Sequence, residues 1–189
     1  MKFNMGCGRN KVAGYINVDA APAAEPDEIW DLEQTPWPWA DACASSIQFI
    51  HSLEHLGGDP KVFLKIMQEI YRIGAPGCAV TIHAPHPRHD NFINDPTHVR
   101  AITPAVLQLF DRPANDRWEA VGAANSPLAR YTGVDFELTS VTTVLAEPYS
   151  ARLKAGEITG EAVSELLRTS NNIASELRMV LTVHKPARA

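Results

Sequence analysis

A chain of 189 residues is the size of one domain, and a content of 45% hydrophobic and 21% charged residues fits a globular protein that buries a core, which excludes disordered and fibrous classes. The net charge of -5, with Lys and Arg scattered, supplies no basic stripe to follow a phosphate backbone, so nucleic acid is not an expected partner. No apolar run reaches the roughly 18 residues of a membrane span, no signal-peptide pattern opens the chain, and Cys7, Cys43 and Cys78 form no close pair; a cytoplasmic protein with reduced thiols and no membrane partner is expected.

Lys2 to Met5 reads as a short strand ending at Gly6-Cys7-Gly8, and Tyr15 to Asp19 as a second, β-branched run ending on an acid. Glu28 to Leu32 is a candidate third strand and Ser46 to His51 a buried fourth, with Pro36-Trp37-Pro38-Trp39 as loop between them. The clearest helix has Asp59 as N-cap and Pro60 at its first position, places Val62, Phe63, Ile66, Met67, Ile70 and Ile73 on one face, and ends at Gly74. Ala75-Pro76-Gly77 turns the chain into an apolar strand, Cys78 to Ala84, so this stretch predicts a right-handed parallel crossover.

Pro85 to Asn94 is a polar loop carrying His86, His89 and Asp90, followed by Asp95-Pro96-Thr97-His98 and a short helix from Pro104 to Phe110. The segment 85–135 is expected to cap the site. Phe136 to Leu145 alternates as a strand, Glu161 to Leu167 forms an amphipathic helix, and Leu177 to His184 closes the chain as a final strand.

A backbone that approaches a ligand just past a strand needs residues without a Cβ, and Gly6 and Gly8 supply them. Taken alone, the pair is equally well a tight turn. Asp19 adds a second element, because a carboxylate ending the next strand can accept hydrogen bonds from both hydroxyls of a ribose. Ligands of open α/β sheets bind beyond the carboxyl ends of the strands, where Gly6, Asp19, Asp31 and His51 all fall.

With these features in order, the chain resembles the class I S-adenosylmethionine-dependent methyltransferases, in particular the type 11 group. Phe3 to Gly8 is similar to motif I, Gly14 to Asp19 to the second strand, and Asp31-Leu32 before Pro36-Trp37 to the adenine-contacting turn. Ile50 to Leu56 resembles the segment after strand four, and Gly74 to Cys78 the turn before strand five. The resemblance implies a Rossmann-like sandwich with a mostly parallel sheet and an antiparallel last strand, in a single domain spanning 1–189. It also implies that Gly6, Cys7 and Gly8 wrap the methionine moiety of S-adenosylmethionine, Asp19 the ribose and Asp31 with Leu32 the adenine, with His51 near the sulfonium.

Three departures stand out. Asn4 occupies a place where many members carry an acid, and Ser45-Ser46 replaces a Ser-Phe-Asp pattern. Only Arg9 to Gly14 separates the glycine turn from the second strand, where a parallel crossover usually takes about a dozen residues or more, so the first helix is expected to be shortened or absent.

A sulfonium methyl is already electrophilic, so catalysis is mainly alignment, which can supply roughly 7–11 kcal/mol. A hydroxyl acceptor must also lose a proton; His98 oriented by Asp95 is the expected catalytic pair. His98 also reads as a hydrogen-bonded turn residue. His86, His89 and Asp90 have irregular spacing that favours a solvated loop over metal ligation. His51-Ser52-Leu53-Glu54-His55 fits the H-x-x-E-H pattern of a metallopeptidase class, but His51 ends a strand and Gly57-Gly58 stops any helix within a turn, so no metal is assigned. Trp37 and Trp39 suit either an adenine wall or the core. The expected function is methyl transfer to a hydroxyl of a small molecule or glycan. The alternative is an inactive cofactor-binding regulatory or assembly protein. A nicotinamide dehydrogenase is disfavoured, because Lys11 stands where its fingerprint needs a third glycine.

Overall fold

A computed structural model describes residues 1–188; the last residue of the expected 1–189 unit lies outside the described residues. Seven strands, β1 (Lys2–Met5), β2 (Ile16–Asp19), β3 (Glu28–Ile29), β4 (Ala44–Ile50), β5 (Gly74–Pro85), β6 (Phe136–Leu145) and β7 (Ala174–Val183), form one sheet in the order β3-β2-β1-β4-β5-β7-β6. The first five are mutually parallel; β7 runs antiparallel to both β5 and β6. The expected mostly parallel α/β sheet with an antiparallel final strand is therefore present.

One face of this sheet is dry. Phe3 and Met5 of β1, Ile47 and Phe49 of β4, and Val80 and Ile82 of β5 are fully buried, on the alternate positions that a pleated strand sends to one side. They meet α1 (Pro60–Ile73), whose Phe63, Ile66, Met67, Ile70 and Ile73 face the core. Asp59 caps this helix by accepting from the Lys61 N–H at 2.8 Å. Trp37 and Trp39 join the same core, with Trp39 4.7 Å from the Phe3 ring. Arg72 fastens their loop to α1 by donating to the Trp37 and Trp39 carbonyls and to Asp41 and Glu69.

The opposite face of β1 and β2 is polar because no helix follows β1. Ten residues, 6 to 15, join these two parallel strands without a helix, and side chains supply the bonding that a crossover helix would have provided. Asn17 Oδ1 accepts from Val12 N and from Asn4 Nδ2, while Asn17 Nδ2 donates to Val12 O, Tyr15 O and Asp27. Asn4 also donates to Asn10 O and accepts from Gln48. The neutral residue at position 4 is thus wholly engaged in the architecture of a short connection.

Three expected elements differ in detail. The third strand stops at Ile29, and Ala75-Pro76-Gly77 bulges within β5, where the register steps from Ala44↔Gly74 to Ser46↔Ala79. The segment 85–135 holds α2 (Asp90–Ile93), α3 (Pro104–Gln108), α4 (Arg112–Ala120) and α5 (Leu128–Thr132), of which only α3 was expected. Between β6 and β7 lie α6 (Tyr149–Lys154) and the expected α7 (Gly160–Thr169). No helix among the described residues is long and apolar enough to cross a membrane.

Candidate functional site

The carboxyl ends of β1, β2 and β4 converge on a pocket lined by Gly6, Gly8, Asp19, Ala20, Trp30, Asp31, Leu32, His51, Ser52, His55 and Leu56. The two glycines of the turn meet different demands. Gly6 has φ +65°, and a Cβ there would stand 2.6 Å from Ser52 Cβ, so this glycine lets β1 pass close to β4. Ser52 seals that contact by donating to the Met5 carbonyl at 2.7 Å. Gly8, at φ +48°, lines the pocket, and a Cβ there would meet no atom within 4 Å. Cys7 sits between them with its N–H on the Val18 carbonyl at 3.0 Å, extending the β1–β2 ladder. Its thiol is buried away from the pocket lining, and burial, followed by the Asp19 charge, pushes its pKa up.

Asp19 locks the turn to β2. One carboxylate oxygen accepts from Gly8 N at 2.7 Å and the other from Ala21 N at 2.9 Å, which leaves further lone pairs on both oxygens for a diol. Asp31 closes the next loop on itself, accepting from Glu33 N at 3.0 Å and from the Gln34 side chain. Leu32 is buried beneath it and Trp30 stands beside it, its indole N–H held by the Gln34 carbonyl. Trp30 was not singled out in the sequence, although an aromatic residue directly before the candidate adenine acid was the available signal.

His51 leaves the end of β4 with φ +53°. Its Nε2 donates to Glu176 on β7 at 2.9 Å, and its Nδ1 lies 3.7 Å from Glu54. The Glu54 carboxylate, aided by Glu176, outweighs burial and holds the imidazole pKa above the usual histidine value. Glu176 itself is fastened by Arg178 at 2.7 Å. His51 is therefore a half-exposed imidazole in the pocket wall, oriented by two carboxylates from other elements.

His98 and Asp95 have a different place. His98 does not line the pocket; its side chain is only 8% exposed, stacks on Phe92 and lies 4.6 Å from the ring of His55. Asp95 is 3.8 Å from His98 Nε2 and spends one oxygen on the Thr97 backbone and hydroxyl. The pair is joined through the pocket residue His55, whose Nδ1 meets the Thr97 hydroxyl at 2.9 Å. The segment also docks through Val99 and Arg100 N–H groups on the Glu54 carbonyl. His86 and His89 each accept a backbone N–H two residues on, and Asp90 begins α2, so these three serve turns. Trp37 and Trp39 belong to the core and not to the pocket.

A mostly parallel sheet with a glycine turn after its first strand and an acid at the end of its second is the pattern of the Rossmann-like folds. Comparison with solved structures narrows that class. An S-adenosylmethionine-dependent methyltransferase from Archaeoglobus fulgidus superposes with a TM-score of 0.64 at 17% identity, over 95% of this chain and 84% of that chain. An S-adenosylmethionine-dependent methyltransferase from Methanosarcina mazei gives 0.53 at 12% identity, covering 96% and 91%. The cyclase SpnF also gives 0.53, at 13% identity, covering 96% and 74%. No family model and no curated protein matches the chain. The fold is that of the class I S-adenosylmethionine-dependent methyltransferases.

Proposed function

We propose that the protein binds S-adenosylmethionine in the pocket at the ends of β1, β2 and β4 and transfers its methyl group to a hydroxyl of a small molecule or glycan. The observation that carries this reading is the gathering of Gly6, Gly8, Asp19, Asp31, Leu32 and His51 around one cavity. In this reading the open side of Gly8 admits the methionine moiety, Asp19 takes the ribose hydroxyls, and Trp30, Asp31 and Leu32 hold the adenine. Cys7 supports the turn from behind. His51, oriented by Glu176, takes the acceptor proton, while His98 and Asp95 buttress His55 from outside the pocket. Segment 85–135 supplies part of that outer wall within a single domain. The acidic net charge and the absence of a basic stripe support a small acceptor over a polyanion.

Calorimetry with S-adenosylhomocysteine tests the binding half. Saturable heat is expected from the native chain, with Asp19→Asn weakening affinity about 10- to 100-fold, the range for a lost hydrogen bond to a charged group; no heat at millimolar ligand overturns the reading. A second reading, a cofactor-binding regulatory or assembly protein, is favoured by Asn4, a neutral, buried side chain bonded to Asn10, Asn17 and Gln48 that brings no charge to a methionine amino group. Methylated product from labelled cofactor and a metabolite extract would reject it.

A further inference from the structure

Glu54 is fully buried in a short 3-10 turn, Leu53–His55, and neither of its carboxylate oxygens has a hydrogen-bond partner. Such a group calls for a cation or a proton, because desolvating a carboxylate without a partner is among the most costly burials in a protein. No Lys or Arg forms an ion pair with it among the described residues, and His51 Nδ1 lies 3.7 Å from one of its oxygens.

Two further imidazoles stand beside this carboxylate. One ligand-capable atom from each of Glu54, His55 and His98 lies within 4.8 Å of the other two. The hydrogen bonds set both histidine tautomers. His98 Nδ1 is 3.0 Å from the Phe92 carbonyl, which can only accept, so Nδ1 carries the proton. The Thr97 hydroxyl gives its hydrogen to Asp95 at 2.6 Å and therefore accepts from His55 Nδ1–H. Both neutral rings keep a lone pair on Nε2. Metal-binding histidines are oriented in this way, with the second ring N–H tied to a carbonyl or, here through Thr97, to a carboxylate.

From this geometry we propose that Glu54, His55 and His98 bind a divalent transition-metal cation of the zinc class at the wall of the pocket. Two imidazoles and one carboxylate are the donor set of three-ligand zinc sites and suit neighbouring first-row ions. Ligands about 2.0–2.1 Å from a tetrahedral ion lie roughly 3.3–3.5 Å apart, so a shift of about an ångström in side-chain position closes the cluster. This set differs from the H-x-x-E-H reading of the sequence: His51 turns to Glu176, and the second imidazole comes from a residue 43 positions after His55. The cation would neutralise Glu54 and pin the Asp95–Arg100 strap to the pocket wall.

The full chain, stripped with a chelator, is titrated with zinc by calorimetry and with cobalt by visible absorption. One saturable equivalent per chain is expected, with the cobalt bands of a low-coordinate site. X-ray absorption on the zinc-loaded native protein should count two imidazoles without needing any variant. Loss of an outer partner typically weakens a metal site 10- to 100-fold, so Thr97→Val should fall in that range and Glu54→Gln or His98→Asn by about 100-fold or more. His89→Asn, which keeps its helix cap, should bind as the native chain does. Absence of saturable binding at micromolar zinc, or native affinity in both Glu54→Gln and His98→Asn, overturns the proposal. So does loss of binding in His51→Asn with His98→Asn unaffected. The readout is independent of S-adenosylhomocysteine, so the site and the methyl-donor reading stand or fall separately.

Discussion

The glycine turn shows how two identical residues can answer to different forces. Gly6→Ala combines a left-handed backbone with an overlap on Ser52 Cβ, and about 2–4 kcal/mol of stability should be lost, visible as a lowered thermal midpoint. Gly8→Ala carries only the backbone penalty, roughly 1–2 kcal/mol, and its larger effect should appear in S-adenosylhomocysteine affinity, because Gly8 lines the pocket. An equal loss of stability in both variants would contradict this division. His51→Asn should lower the methyl-transfer rate constant about 100-fold or more, the usual scale for a general base, with little change in S-adenosylhomocysteine affinity. The sequence pointed to the pocket glycines and acids because each falls at or just past the carboxyl end of a strand, a position visible from patterning. It pointed to His98 as a base because Asp-Pro-Thr-His looks like an oriented pair. What patterning could not show is that Thr97 intercepts Asp95 and that the ring of His98 is covered by Phe92 and His55.

Between β1 and β2 an entire element has been replaced by amide side chains. Asn17 serves as both donor and acceptor for the connection it follows. Asn17→Ala leaves the Val12 N–H and the Asp27 carboxylate short of a partner, and a loss of about 2–3 kcal/mol is expected in urea denaturation, with hydrogen exchange accelerated over residues 9 to 15. Asn17→Asp should lose at least as much, since it sets a second carboxylate where the amide now donates to Asp27 at 2.7 Å. The shortened connection was legible because six residues cannot make a crossover helix. Its bonding was not, because Asn4 and Asn17 come together only when their strands pair. Helix α1 was equally legible from Asp59, Pro60 and its apolar spacing. Helix α4 was missed: its polar Arg-Pro-Ala-Asn-Asp-Arg run buries only Ala114 and Asn115 and is held by bonds with Leu109, Ala129, Arg130 and Asp135, outside the helix itself.

A mostly parallel sheet with an antiparallel last strand followed from the resemblance that the succession of motifs carried, yet the ties that close the molecule did not. Asp135, fully buried before β6, accepts from Arg112 N and from the backbone and guanidinium of Arg188. Burial pushes its carboxyl up, but the Arg188 side chain and the two backbone donors outweigh that effect and hold the pKa below the usual carboxylate value. A folded-state pKa below the unfolded one contributes stability that is complete above the unfolded value, about 4, and is lost as pH falls through the folded value. Urea midpoints should therefore drop as pH falls below about 4, with a shallower drop in Asp135→Asn, which should already be weaker by about 3 kcal/mol or more near neutral pH.

The ten-residue link between β1 and β2 also has a temporal meaning. Closing a loop of that length takes on the order of 10–100 ns, so the pairing Phe3↔Ile16 that brings Gly8 to Asp19 is a local event. Pairing of Phe3 with Ile47 spans a separation more than three times longer and meets roughly 1 kcal/mol more closure entropy. The contact between the glycine turn and its acid thus belongs among the early, short-range steps of folding, ahead of the strand that carries His51.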